Sequence, residues 1–600
     1  MASNREIVAL DDFEHVRLRP THYIGSVEKS EEKIPIIKNN TLQEEVKEIS
    51  VGFYKLLNEI LDNSFDEAKR LGGKMKLIEL HVNSTTSEVR VVDTGGGFYK
   101  GTETNAKTGL TNIESAMCSL RAGSNFYTDD SAQTLIGTHG VGASIVNILS
   151  DKFTIKSVNS EFSFQSTWSG FVEQTERKIA KKKKGEETGT EISFIPYKKM
   201  FGKYVWDLDI LRTQMIFKSF LMRFDEQLKG LEFKFFFDGK QIPIGEDFLP
   251  KDNITIETRI GTYIFWKKYE NSTSVSFVNG AQCTGIHQKI VNDWINGLFN
   301  YNLAHHFYDH FFILNMQPKL VRFGDQNKTK FVSGRWEIED VIKKSFWNKI
   351  NRTFPGNKIF KSIQKDIEDK LFNQEIAAIK RKKRTANKKV SDKYYPPSKV
   401  LDTLFIVEGN SAAKSLLQRR DTKKDGVYTL KGKIKNARSI TDLSQNNEII
   451  DLMSILGIEP KNSKDCKYKN VVMAVDADVD GIGHIASLLI NLFYKWFNDV
   501  IAQERLHILI TPLLSVEINS TKNYFFSYED FHTFQENNPE IKTGKTRYLK
   551  GLGSLSIDDW EWVMEQRRMF KIYNDKSSER YMDMAFGKAS DKRKKWLQGI

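Results

Sequence analysis

The chain has 600 residues, 40% of them hydrophobic and 28% charged, a globular composition with room for roughly three or four domains rather than one core. Its formal net charge is +13, from 90 Lys and Arg against 77 Asp and Glu, which favours an anionic partner such as nucleic acid. No apolar run approaches the ~20 residues that cross a bilayer, and Cys118, Cys283 and Cys466 form neither a zinc pattern nor a disulfide framework.

The opening MASNREIVALDDFEHVRLRP has no apolar stretch after a basic one, so no secretory signal is expected and the chain reads as cytoplasmic. The segment VGFYKLLNEILDNSFDEAKRL spaces its apolar residues like a helix and stops at Gly72-Gly73. KLIELHVN and SEVRVVD alternate like paired strands, the second ending in the cluster Asp93-Thr94-Gly95-Gly96-Gly97. The basic run Lys181 to Lys184 reads as a solvated hairpin tip.

From Leu231, LEFKFFFDGKQIPI, ETRIGTYIFWKKY and TSVSFVNG read as strands, followed by helical GIHQKIVNDWINGLF and the strand FFILNMQ. These predict a second α/β unit. Two helical stretches then lead to Pro396-Pro397, with the basic run Lys380 to Lys389 expected as an exposed linker that could lie along phosphates. VLDTLFIVEG, VVMAVDAD and RLHILITPLL read as buried parallel strands alternating with helices. The expected domains are therefore 1–228, 229–384 and 385–600.

Glu59, Asp62, Asn63 and Asp66 recur at offsets of three and four, which puts them on one helix face. A solvated face would look the same. Asp93, followed by glycines at a strand end, lets backbone approach a ligand while a carboxylate accepts from an amino group; a tight turn is the plain alternative. Gly137-Thr138-His139-Gly140-Val141-Gly142 opens an apolar helix, where unsatisfied N–H groups can cradle phosphate. Two other motifs fail. Gly101 to Thr108 is one residue short of a P-loop and has Ala106 where the second glycine belongs, and no Glu follows His306 to make a zinc-protease pair with His310.

In this order and spacing, Glu59-x-x-x-Asn63, Asp93-x-Gly95-x-Gly97 and Gly137 to Gly142 resemble the ATP-binding motifs of the GHKL superfamily, which includes gyrase, Hsp90, histidine kinases and MutL. The resemblance implies Glu59 as general base on the attacking water, Asn63 as a Mg²⁺ ligand, and Asp93 on the adenine amino group with Thr190 near it. It also places Asp66, Gly95, Gly97, Thr138, His139, Gly140, Val141 and Gly142 at the nucleotide. The segment RAGSNFYTDDSAQTLIGTHGVG resembles a gyrase-type lid. Phe323-Gly324-Asp325-Gln326-Asn327-Lys328 looks like the Gln-Thr-Lys loop of type II topoisomerase transducer domains, with Asn for Thr, which would put Gln326 and Lys328 at the nucleotide and Lys328 on the γ-phosphate.

Val407-Glu408-Gly409-Asn410-Ser411-Ala412, then Asp476-Ala477-Asp478-Val479-Asp480-Gly481, with LKGKIKNARS and TRYLKGLG, resemble the Toprim signature. Carboxylates at strand ends suit hard, oxygen-seeking Mg²⁺, and the likeness implies that Glu408, Asp476, Asp478 and Asp480 hold it beside a scissile phosphate. Asn410 stands where the family has Asp, and the segment before His484 has an extra residue and lacks the usual basic one. Arg547-Tyr548 and Arg580-Tyr581 match the family's DNA-breaking dipeptide, but neither has a winged-helix segment around it.

The resemblance is to the gyrase B-like subunit of type IIA DNA topoisomerases. It implies a multi-domain α/β chain: a GHKL ATPase α/β sandwich, a transducer of ribosomal protein S5 domain 2-like type, and a Rossmann-like Toprim domain. Expected cofactors are ATP and Mg²⁺. Expected partners are double-stranded DNA, a second copy through the ATPase domains, and a DNA-cleaving subunit carrying the catalytic tyrosine, with no membrane. The rivals are a GHKL clamp of mismatch-repair or chaperone type that breaks no DNA, and a binding-only protein with a degenerate ATP site.

Overall fold

The computed structural model describes residues 9–122, 135, 140–202, 204–386, 392–430, 434–476, 481–539, 545–549, 551–587 and 590–598. The chain divides into two compact units, Met1–Ile367 and Glu368–Ile600. None of the described helices is long and apolar enough to cross a membrane.

In the first unit a hairpin, β1 (Ser30–Lys38) and β2 (Thr41–Ile49), precedes helix α1 (Val51–Leu71). Ser50 caps α1 by accepting from the Phe53 N–H, and Gly72 ends it in the left-handed region. Then come β3 (Leu77–Val82), β4 (Val89–Asp93), α2 (Gly142–Ile148), β5 (Ser150–Val158), β6 (Phe162–Ser169), β7 (Glu173–Lys181), β8 (Gly189–Pro196), α3 (Leu208–Met222), β9 (Glu232–Phe237) and β10 (Lys240–Ile242). The strands form one eight-stranded sheet in the order β10-β9-β3-β4-β8-β5-β6-β7.

Two expectations fail here. β9 runs parallel to β3, and β10 closes a hairpin on it, so the strands expected to open the second unit instead widen the first sheet. The first sheet thus continues past residue 228 to Ile242. Lys181 to Lys184 is not a hairpin tip either: β7 pairs only with β6 at the sheet edge, while β8 lies between β4 and β5, so the basic run crosses from the edge back to the middle.

The second sheet contains β11 (Ile254–Thr258), β12 (Gly261–Lys267), β13 (Val275–Val278), β14 (Ala281–Gln282) and, after α4 (Ile286–Phe299), β16 (Tyr308–Leu314), in the order β11-β12-β16-β13-β14. β13 and β16 are parallel, joined through α4. A short strand β15 (Thr284–Gly285) pairs in parallel with β17 (Lys330–Phe331), which anchors the chain directly after Lys328. His306 lies in a turn of 3-10 helix and His310 in β16, so the two do not share a helix.

The two sheets meet through aromatic rings. Phe217 and Phe220 of α3 pack with Phe248, Phe277 of β13 and Phe311 of β16 at centroid separations of 5.0 to 5.7 Å. Edge-on and tilted pairs of this kind are worth about 0.5–1.5 kcal/mol each beyond the area they bury. One core cluster accordingly draws residues from both sheets.

The helix α5 (Lys358–Ala386) runs through the first part of the basic run, so the exposed Lys380, Arg381 and Lys382 lie on a helix rather than in a linker. Within the second unit Lys380 pairs with Glu459 at 3.1 Å, and Lys382 donates to the Ser444 carbonyl. Beyond it lie β18 (Tyr394–Tyr395), β19 (Thr403–Glu408), α6 (Asn410–Arg419), β20 (Asp425–Leu430), β21 (Asn470–Ala474), β22 (Leu506–Leu509), β23 (Leu514–Ile518), β24 (Thr521–Phe525), β25 (Lys545–Tyr548) and β26 (Met569–Lys571). The main sheet is β18-β20-β19-β21-β22-β26, with β20, β19, β21 and β22 parallel. A smaller antiparallel sheet, β24-β23-β25, follows.

Candidate nucleotide and metal sites

Helix α1 supplies most of the first site. Lys55 and Glu59, one turn apart, form an ion pair of 2.6 Å with both side chains nearly buried, at 9% and 12% exposure. Burial opposes the charge on Lys55, but Glu59 and Asp62 outweigh it and hold its pKa above the ordinary lysine value. Asp62 pairs with Lys218 of α3. Asp62 and Asp66 are buried while Asn63 is exposed, so the expected face splits: the carboxylates turn into the protein, and Asn63 turns to solvent where a ligand could reach it.

Asp93 ends β4 against this helix. Its Oδ2 accepts from the Ser64 hydroxyl at 2.8 Å, and its Oδ1 from the Gly95 N–H at 3.0 Å and the Thr190 N–H at 3.3 Å. Burial is the largest influence and raises its pKa from 3.8 to about 6, with the three hydrogen bonds pulling the other way. Thr190 sits opposite Asp93 on β8, so its contribution is a backbone one. Gly97 has φ 68°, and a side chain there would meet the Val158 carbonyl at 2.4 Å, so only glycine fits this turn.

The glycine loop is described from Gly140 onward, and Gly142 opens α2 after Val141; Thr138, His139 and the lid residues 123–134 lie outside the described residues. A methyl group on Gly142 would fall 2.2 Å from Glu59 Oε2, so the glutamate carboxylate lies directly against the loop.

From the second sheet, the loop before β17 brings Lys328 to the same helix. Lys328 is 5% exposed with φ 62°, and its ammonium feels Glu59, Asp62 and Asp66 as attractive and Lys55 as repulsive charges. Burial dominates and holds its pKa below the ordinary lysine value. Gln326 is half-buried in the same loop. The structure therefore gathers Glu59, Asp66, Asp93, Gly142, Thr190 and Lys328 around α1, and adds Ser64 and Lys55, which sequence reasoning passed over. Ser64 could have been found as the next small hydroxyl residue after Asn63, and Lys55 as a cation one turn before Glu59.

In the second unit, Glu408 ends β19 and Asp476 follows β21, its parallel neighbour in the sheet. Both leave the sheet at the carboxyl ends of adjacent strands, where open α/β sheets place their ligands. Asp476 Oδ1 accepts from the Leu552 N–H at 2.6 Å, which ties it to the Gly-Leu-Gly turn of TRYLKGLG. Asp478 and Asp480 lie outside the described residues, and among the described residues no three His, Cys, Asp or Glu side chains form a metal cluster. The donors present, two carboxylates at neighbouring strand ends, fit a hard divalent cation. His484 is exposed on a turn of π-helix, Gly481–Ala486.

Residues 403–511 match the Toprim domain family, and residues 509–600 match the C-terminal associated domain of Toprim. The chain is 26% identical to the B-type subunit of DNA topoisomerase 4 from Borreliella burgdorferi, over 93% of its own length and 92% of that protein. It is also 26% identical to the B-type subunit of DNA gyrase from Thermotoga maritima, over 99% of this chain and 98% of the other. Its homologues are type II DNA topoisomerases. Among solved structures it resembles the ATPase and transducer domains of DNA topoisomerase II from Balamuthia mandrillaris, with a TM-score of 0.48, 18% identity, and coverage of 61% of this chain and 98% of that one.

Proposed function

We propose that this chain is the ATP-hydrolysing, Toprim-bearing subunit of a type II DNA topoisomerase, passing one duplex through a transient double-strand break in another. The observation that carries this reading is the pairing of two chemistries on one chain. One is the buried Asp93 acceptor held by Ser64 of α1, with Glu59 of the same helix against the glycine loop; the other is Glu408 and Asp476 at neighbouring strand ends of a segment that matches the Toprim family.

At the first site Asp93 accepts from the adenine amino group, and Asn63 holds the Mg²⁺ that accompanies ATP. Glu59 takes a proton from water as the water oxygen bonds to the γ-phosphorus; the bond from that phosphorus to the bridging oxygen breaks, and ADP leaves with the electron pair. Lys328 faces the charge that develops on the γ-phosphoryl oxygens, with Gln326 and the glycine loop supporting the phosphates. At the second site Glu408, Asp476, Asp478 and Asp480 hold Mg²⁺, which when bound neutralises phosphate oxygens at the cleaved strand. The breaking tyrosine belongs to a partner subunit, and two copies of this chain dimerise through their ATPase domains.

Within this reading the protein is of the T-even bacteriophage large-subunit type and works in the host cytoplasm. The reading rests on a resemblance that runs along nearly the whole sequence, from Arg19-Pro20-Thr21-His22-Tyr23-Ile24-Gly25 to the segment that begins at Asp591. The test is strand passage of supercoiled plasmid with ATP and Mg²⁺, with and without the partner subunit. ATP turnover without any metal-dependent cleavage by the assembled complex would instead favour a clamp that breaks no DNA.

A further inference from the structure

We propose that Arg547 is a positioning residue for the carboxylate of Asp476: it holds the turn Leu552–Ser554 so that the Leu552 N–H stays on Asp476 Oδ1. The inference rests on the reading of Asp476 as a Mg²⁺ ligand.

The contacts form one chain. Arg547 stands on β25, whose register places it opposite Ser515 of β23. Its guanidinium reaches two acceptors: Nη1 donates to Asp559 Oδ2 at 2.9 Å, and Nη2 donates to the Ser554 carbonyl. Asp559 lies in the first turn of helix α7 (Ile557–Gln566), and Ser554 ends a turn of 3-10 helix that begins at Leu552. At the start of that turn the Leu552 N–H donates to Asp476 Oδ1 at 2.6 Å. A side chain on Gly551 would fall 2.7 Å from Asp476 Oδ2, so the turn lays bare backbone against the carboxylate.

Asp559 by itself does not call for Arg547. It is fully buried and accepts from the Ser556 N–H at 2.8 Å, the Tyr524 hydroxyl at 2.9 Å and the Lys522 ammonium at 3.2 Å, so two neutral donors and a cation already satisfy it. The Arg547 side chain is 46% exposed, and an ion pair so open to water adds little to stability. What Arg547 adds is the bond to the Ser554 carbonyl, an acceptor that a helical turn leaves open at its end. The bonds from Ser554 back to Gly551 are internal to the turn, its N–H and its hydroxyl both donating to the Gly551 carbonyl. Buried Leu552 and Leu555 set the depth of the turn. The guanidinium, a planar fork fixed to a strand and a helix at once, sets its direction. With one oxygen held by a backbone N–H, the Asp476 carboxylate keeps a single orientation toward a cation, and outer partners of this kind govern how tightly a ligand binds its metal. The arginine of the Arg547-Tyr548 dipeptide is thus engaged within the segment that matches the C-terminal associated domain of Toprim.

The test uses the full chain as wild type, Arg547→Met, Arg547→Gln and Asp476→Ala, free of nucleotide. Mn²⁺ affinity is measured by electron paramagnetic resonance, amide exchange is followed over residues 551–555 without metal, and thermal melting checks folding. Mg²⁺-dependent plasmid cleavage is then measured with the partner subunit. Arg547→Met is expected to weaken Mn²⁺ binding about tenfold, to raise the Mg²⁺ concentration for half-maximal cleavage in proportion, and to speed exchange at the Leu552 N–H. Arg547→Gln, which keeps a donor for the Ser554 carbonyl but no charge for Asp559, should bring Mn²⁺ affinity back to within about threefold of wild type. If Arg547→Met does not fold, Arg547→Ala takes its place. Wild-type Mn²⁺ affinity in Arg547→Met overturns the inference. So does a weakened affinity with unaltered exchange over residues 551–555, or one that Arg547→Gln fails to restore in a folded chain. If Asp476→Ala binds Mn²⁺ like wild type, the reading of Asp476 as a ligand falls and this inference with it; if Asp476→Ala loses Mn²⁺ while Arg547→Met is unaltered, only this inference falls.

Discussion

Ser64 donates its hydroxyl to Asp93 across 2.8 Å, joining the helix that carries Glu59 to the end of β4. The bond fixes one carboxylate oxygen from the helix side, while Gly95 and Thr190 fix the other from the backbone. Asp93 is thereby oriented before any ligand arrives.

Replacing Asp93 with Asn should weaken ATP binding yet flatten the pH dependence of stability in the unliganded protein. Its folded pKa is raised to about 6 from 3.8. A raised carboxylate is favoured when protonated, so its contribution is complete below the unfolded value and is lost as pH rises through about 6. The loss amounts to about 3 kcal/mol at most. Melting of wild type and Asp93→Asn from pH 4 to pH 7 measures it; parallel curves would remove buried charge from the account.

Glu59→Gln should reduce ATP turnover by about 10²- to 10⁴-fold and leave nucleotide binding intact, since the amide keeps the size of the side chain but cannot take a proton. Single-turnover hydrolysis beside equilibrium binding of a non-hydrolysable ATP analogue separates the two effects. Hydrolysis at the wild-type rate would move the base elsewhere.

Lys328→Ala should slow hydrolysis and leave ADP affinity nearly unchanged, because the lysine is read as facing only the terminal phosphate. Comparing ADP and ATP-analogue affinities decides the point: equal weakening of both would place Lys328 away from the γ-phosphate.

Asp476→Ala should remove metal-dependent cleavage and strand passage by the complex with its partner while ATP hydrolysis continues, because Asp476 and Glu59 lie in different compact units. Plasmid cleavage and ATPase assays on the same preparation test this. Cleavage that survives would place the metal on other groups.

Acid should loosen the first unit through two buried histidines. His287 and His310 are lowered by burial from 6.5 to about 3 and about 4. Their neutral forms are favoured in the fold, so stability is full above the unfolded value and falls below pH 6.5, at up to about 1.4 kcal/mol per pH unit for each. His310→Gln should show a shallower fall in melting temperature between pH 7 and pH 5 than wild type.

Much of this was legible because it is local. Helix α1 announces itself through apolar spacing and the Gly72 stop, and the Toprim strands β19 and β21 through unbroken apolar runs that only a strand covered on both faces tolerates. What was not legible is non-local. Nothing in LEFKFFFDGKQIPI states that its first strand pairs with β3, because alternation specifies which side chains point inward and not which strand lies alongside. The same limit hid the path of Lys181 to Lys184. On α1, helical spacing put Asp62, Asn63 and Asp66 together, but burial separated them, and that depends on α3 and the loop before β17.

The ring cluster of Phe217, Phe220, Phe248, Phe277 and Phe311 bears on how the nucleotide-binding part can be prepared by itself. A fragment cut at residue 228 would lose β9 and β10, leaving β3 as a raw sheet edge, and would bare the phenylalanines of α3 to water. Both defects invite aggregation. A fragment carried to the neighbourhood of Ile367 keeps both sheets closed on each other, so a preparation of the first unit must include the second sheet even though Glu59, Asn63 and Asp93 lie on the first sheet and its helix.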